Sequence, residues 1–208
     1  MDVYEAISRR MTIRDFADKE VPMQTIREIL KAGLKAPTND HLRRWEFILV
    51  QDHSQREALV SKIHAPQNKK GATAVVNRWK LTIPSQRDVY IEAIPKQYSM
   101  LLNAAVLIIP CFHATGPLLK PETLSSLNSF ASIWCCVENI LIAAAAEGIF
   151  GVTRIPFEPE RKHLHKVLNI PVEYEVPCYL ALGYPASNAK RMAQYPVSLD
   201  EKIHINSW

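Results

Sequence analysis

Apolar positions along the chain fall into two periods, and they predict a mixed fold. Val3, Ala6 and Ile7 recur at helical spacing, so residues 2–10 read as a short amphipathic helix. A second helix is expected to begin near Pro22, a residue suited to a first helical turn. Ile26, Ile29, Leu30, Ala32 and Leu34 would line its buried side, and Pro37 sets its limit. WEFILV (45–50) is rich in strand formers. NAAVLIIP (103–110) is an unbroken apolar run, the pattern of a strand covered on both faces.

The longest helix is predicted from Ser125 or Ser126, either of which can cap it, to Glu147. Gly148 then stands where a left-handed residue is wanted. Phe130, Ile133, Trp134, Val137, Ile140, Leu141, Ala144 and Ala145 make that helix apolar nearly all round, so it belongs in a core or at a subunit interface. ERKHLHKVL after Pro159 reads as a further helix and YEVPCYLALGYP (174–185) as a strand. Residues 186–208 read as an extended arm. Residues 64–102 show no clean period and are expected to form an irregular lid. The order is that of one α+β domain over residues 1–208.

Composition narrows the class. The 208 residues are 48% hydrophobic and 22% charged, in the range of an ordinary globular domain. The net charge of +4 is mild and spread along the chain, which does not suit a nucleic-acid surface. The amino terminus lacks an apolar leader, and Glu138 and Asn139 interrupt the most apolar stretch, so a cytoplasmic protein without a membrane span is expected. Cys111, Cys135, Cys136 and Cys178 lack the Cys-x-x-Cys spacing of zinc or redox sites. His163 and His165, two apart on a helix, face different directions and make poor co-ligands. No metal site is expected.

The six glycines form neither a Gly-x-Gly-x-x-Gly turn nor a P-loop, so side chains would have to supply the donors for any bound phosphate. SRRMTIRDF (8–16) offers a candidate. If the chain is extended after Arg10, alternation puts Arg10, Thr12 and Arg14 on one face, with Met11 and Ile13 turned to the core. Two guanidiniums and a hydroxyl on one rib suit a phosphate dianion. The same residues could also form a surface turn paired with Asp15, Asp18 or Glu20.

RRMTIRDF together with APTNDHLRRWEFILV (36–50) resembles the flavin-dependent nitroreductase family. That family carries an early Arg-x-Ser/Thr-x-Arg/Lys-x-Phe segment and a later Ala-Pro-Ser-x-x-Asn-x-Gln-Pro-Trp segment before a strand. The likeness extends through NAAVLIIP, ENILIAAAAEGIFGV, ALGYPA and the closing arm. It implies a mainly antiparallel sheet flanked by helices, a long central helix and a homodimer with FMN at the interface. It further implies that Arg10, Thr12 and Arg14 hold the phosphate and ribityl end, with Lys190 and Arg191 adding contacts from the arm. Pro37, Thr38, Asn39 and His41 would reach the cofactor of the partner subunit. Thr153 and Arg154, in the GVTRIP loop (151–156), would lie against the flavin ring, where Arg154 or lid lysines could supply a cation. Arg43 and Arg44 replace the family's Gln-Pro, and Arg154 and Pro156 stand in a loop that often carries glycine.

The implied chemistry is hydride uptake from NADH or NADPH and ping-pong reduction of a small electron acceptor, a nitroaromatic, a quinone or a similar molecule. It calls for no dedicated nucleophile or acid–base pair. Dehalogenation, enoate reduction or flavin destruction on the same fold, or a flavin-binding sensory dimer without turnover, are the alternatives.

Overall fold

A computed structural model describes residues 1–66, 68–114 and 116–208; Gln67, within the expected lid, and Thr115 lie outside the described residues. The helices are α1 (Val3–Arg9), α2 (Met23–Gly33), α3 (His53–Val60), α4 (Lys69–Arg78), α5 (Pro84–Ala93), α6 (Ser99–Leu102), α7 (Asn128–Ala146) and α8 (Glu158–Leu168). The strands are β1 (Trp45–Leu49), β2 (Val106–His113), β3 (Phe150–Arg154), β4 (Tyr174–Glu175) and β5 (Tyr179–Gly183).

The strands form one antiparallel sheet in the order β1-β2-β5-β3, with β4 also paired to β2. Side chains alternate across it, and each face meets its own helices. Val106, Ile108, Phe112, Leu180 and Leu182 face α2 and α7, where Ile26, Ile29, Ile133, Ile140 and Ala144 are buried. Leu107, Ile109, Cys111, Tyr179 and Ala181 face the other way, against Leu59 and Val60 of α3, Leu101 of α6 and Leu164 of α8. This double cover explains why β2 is apolar from Val106 to Phe112. Pro110 is tolerated inside β2 because, on that side, it falls between the stretches paired to β5 and β4.

Several boundaries differ from expectation. β2 starts three residues after Asn103 and continues past Pro110 to His113. Neither Ser125 nor Ser126 begins the long helix; a 3₁₀ turn over Leu124–Leu127, in which Ser126 Oγ accepts from the Thr123 amide, leads into α7 at Asn128. Gly148 closes it at φ 72°. Leu124–Ala146 is long and apolar enough to cross a membrane, Glu138 and Asn139 notwithstanding, yet it packs against α2, α1 and the sheet as a core helix does. YEVPCYLALGYP is split by Pro177 into β4 and β5. Leu34 is exposed rather than part of the buried side of α2. The segment 64–102 is not irregular but mostly helical, and Ala72, Val76 and Ile94 give α4 and its surroundings a small core of their own. Residues 187–208 are almost wholly exposed, in keeping with an arm.

Candidate functional site

After α1 ends at Arg9, the chain runs extended along the outer edge of β3. Thr12 bridges Gly151 in parallel, the Ile13 amide donates to the Gly151 carbonyl at 3.1 Å, and Phe16 bridges Pro185. Gly151 lets β3 lie close against β5 at this point, since a Cβ there would stand 2.1 Å from the Ala181 carbonyl oxygen. Ile13 is fully buried beside Ala145 and Phe150, with Met11 and Phe16 packed around it. The alternating residues Arg10, Thr12 and Arg14 accordingly share a different environment. All three line one cleft of about 610 Å³.

The opposite wall comes from the lid and the arm. Ile83, at the start of α5, and Ser85, Gln86, Val89 and Tyr90 within it face the rib, and Met192, Ala193, Gln194 and Tyr195 close the cleft from the carboxyl-terminal side. Tyr90 is also met edge-on by Trp79, with ring centroids 5.3 Å apart, which carries aromatic surface beyond the cleft wall.

The charges here are tightly arranged. Arg10 Nε lies 3.4 Å from Glu138 Oε1 on the outer side of α7. Arg14 is half-buried; desolvation lowers its pKa, and the negative fields of Glu92 and then Asp15 oppose that shift. Its Nε is buried with no hydrogen-bond partner among the described residues. Lys96 donates to Asp15 at 2.6 Å and also to Glu92, and Glu92 accepts a bond from Lys190 at 2.9 Å. A partly desolvated guanidinium with an orphaned donor is costly unless an acceptor fills the gap, and an anion in the cleft could supply one.

The other expected site residues separate into three groups. Lys190 lies two residues before the arm's cleft-lining stretch and is held by Glu92, while the neighbouring Arg191 is exposed. Thr38 and Asn39 do not line the cleft; they border a small cavity with Asp40, Trp45, His113 and Ser132, where Thr38 Oγ1 is buried. Pro37 and His41 are exposed beside them, and His41 takes a left-handed backbone at φ 60°.

Thr153 and Arg154 lie not in a loop but in β3, opposite Leu180 and Tyr179. Arg154 is corrected outright as a source of free cation. It is buried, donates through Nε to Gln97 at 2.8 Å and through Nη2 to Glu160 at 2.7 Å, and carries Phe157 and Tyr179 near its guanidinium plane. Its six-residue partner Glu160 was the missed signal. Glu92, Lys96 and the α5 wall also went unrecognised, although Gln86, Val89 and Tyr90 show helical spacing.

Comparisons with known proteins agree with this architecture. A Methanothermobacter thermautotrophicus protein named for NADH dehydrogenase/NAD(P)H nitroreductase is 28% identical over 219 residues, covering 100% of this chain and 88% of its own length. The iodotyrosine deiodinase 1 of Sus scrofa is 24% identical over 188 residues, covering 90% of this chain; the chain spans only 63% of that longer enzyme. Among solved structures, an FMN-dependent nitroreductase of Clostridium difficile superposes with a TM-score of 0.66 at 20% identity, over 98% of each chain. The family model described as the nitroreductase family matches residues 7–184. The chain belongs to the nitroreductase family.

Proposed function

We propose that this chain is an FMN-dependent oxidoreductase that draws on NADH or NADPH to reduce a nitroaromatic, a quinone or a similarly electron-poor small molecule. The observation that carries the reading is the rib: Arg10, Thr12 and Arg14 on one cleft, with a buried Arg14 Nε lacking an acceptor among the described residues. A phosphate monoester supplies such an acceptor, so the residues fit that end of FMN. When bound, the cofactor supplies the hydride and electron transfer.

The chain's own residues bind, orient and exclude water. Arg10 and Arg14 neutralise the phosphate and Thr12 donates beside them. Lys190 and Arg191 approach from the arm, and Thr153 is the remaining candidate on β3. Ile83, Val89, Tyr90 and Tyr195 give the cleft apolar walls suited to planar rings. Donor and acceptor occupying one slot in turn makes turnover ping-pong. No acid–base dyad is assigned.

A second copy of the chain completes the proposal. The outer side of α7, with Ala131 and Cys135 exposed, and the arm, with Leu199, Ile203, Ile205 and Trp208 exposed, leave apolar surface for a partner to cover. Pro37, Thr38, Asn39 and His41 would then serve the partner's cofactor. Four free cysteines, three of them buried, suit a reducing cytoplasm. A reductive dehalogenation is the second reading, favoured by the likeness to the deiodinase.

The test is the absorption spectrum of protein soaked in FMN, followed anaerobically after addition of NADH or NADPH. Bleaching of the flavin band on a catalytic timescale supports the enzyme. A band that persists for hours points to a binding protein, and colourless protein overturns the reading. Replacing Arg10 and Arg14 with alanine should strip the cofactor, at roughly 1.5–3 kcal/mol for each charge-assisted hydrogen bond removed. Light scattering should report a dimer.

A further inference from the structure

Glu138, Asp15 and Glu92 around the rib each already have a cation engaged, and Glu92 links three separate parts of the chain. Glu92, on α5, accepts bonds from Lys96 and from Lys190 of the arm, and its side chain is 12% exposed. Lys96 in turn holds Asp15, the residue next to Arg14. Arg14 lies in the field of both carboxylates, that of Glu92 being the stronger.

We propose that Glu92 is an internal competitor of the cofactor phosphate, occupying the arm's Lys190 and holding the affinity for FMN below what the surrounding cations would give. The inference rests on the FMN reading above. Arg10 is offset by Glu138, and Arg14, Lys96 and Lys190 against Asp15 and Glu92 leave three minus two, one positive charge. A phosphate dianion brings that to minus one in a partly desolvated place, where an excess charge is poorly screened. Without the Glu92 charge, the same cations balance the dianion. Arrival of phosphate therefore draws Lys190 from carboxylate to phosphate and loosens the tie between arm and lid helix. Glu92 acts through Lys190 and Arg14, so it is a positioning residue.

Riboflavin separates this role from a structural one, because it offers the same ring without the phosphate. Cofactor-free wild type, Glu92→Gln and Glu92→Asp would be titrated with FMN and with riboflavin, following quenching of flavin fluorescence, with thermal melts of each protein alongside. Glu92→Gln is expected to bind FMN about tenfold more tightly at low salt, an advantage that fades as ionic strength rises. Its affinity for riboflavin should not change, and Glu92→Asp, which keeps the charge, should stay near wild type. Parallel weakening for both flavins would show a merely structural carboxylate. A ratio of FMN to riboflavin affinity left unchanged in Glu92→Gln, in a variant that still melts cooperatively, would equally overturn the competition. Wild type that binds neither flavin would instead remove the FMN reading, and this inference with it.

Discussion

Arg154 and Glu160 meet as a two-pronged ion pair in the protein interior, Nη2 and Oε1 2.7 Å apart, joining the end of β3 to the first turn of α8. Glu160 also accepts the Phe157 amide at 3.1 Å, so one carboxylate both caps the helix and neutralises the strand. Glu160→Ala would leave a buried guanidinium without its counter-charge. A loss of about 3–5 kcal/mol is expected in urea unfolding. Much of it should return when Arg154→Met is combined with Glu160→Leu, since apolar packing can replace a buried pair.

Gly151→Ala is expected to damage the sheet edge on which the rib rests. The added carbon would meet the Ala181 carbonyl oxygen at 2.1 Å, forcing β3 away from β5. A destabilisation of about 1–3 kcal/mol or more should appear in the urea midpoint. Gly116→Ala, where a Cβ meets nothing within 4 Å, is the control and should be nearly neutral.

Thiol chemistry should reveal the packing of α7. Burial pushes the Cys111 and Cys136 thiols up to about 12 and raises Cys178 as well, so none of the three forms a thiolate near pH 8. Cys135 is exposed on the outer side of the helix. Iodoacetamide followed by peptide mass mapping should modify no native site other than Cys135, more slowly where chains pair over α7. Unfolding should open all four.

The bonds that tie lid to arm also set a pH window. Burial alone would raise the Glu92 pKa, but the hydrogen bonds from Lys96 and Lys190 prevail and lower it below 4.5. Its stabilising contribution is therefore complete above 4.5 and lost as pH falls through the lower folded value. Burial opposes the charge on Lys96, yet Asp15 and Glu92 raise its pKa above 10.5, so that contribution is complete below 10.5 and lost on the alkaline side. Melting temperature should hold a plateau between these limits as far as this cluster governs it. Glu92→Gln should flatten the acid limb.

What the sequence disclosed and what it hid follow from how local each cause is. Ile26 and Ile29 mark the buried side of α2, and Ile13 marks the inward side of the rib, because alternation and helical period act within a few residues; Met11 packs beside Ile13 yet also borders the cleft. Arg154 looked like a ring-side cation because its burial depends on Gln97, 57 residues away, and on the turn from β3 into α8 that brings Glu160 back onto it. The helices of 64–102 escaped notice because α4 and α5 bury few residues, Ala72, Val76 and Ala93, too sparse to set a period. The start of α7 was blurred by Ser126, whose Oγ serves a 3₁₀ turn ahead of the helix proper.

Ile13 sits with no exposed surface between two residues that line the cleft. Occupancy and melting are thereby coupled through a single stretch of backbone: an anion gripped on the outer row also pins the inner row in its hydrophobic seat. Trimming that isoleucine would weaken the grip on a ligand it never touches, so affinity here can be tuned from underneath.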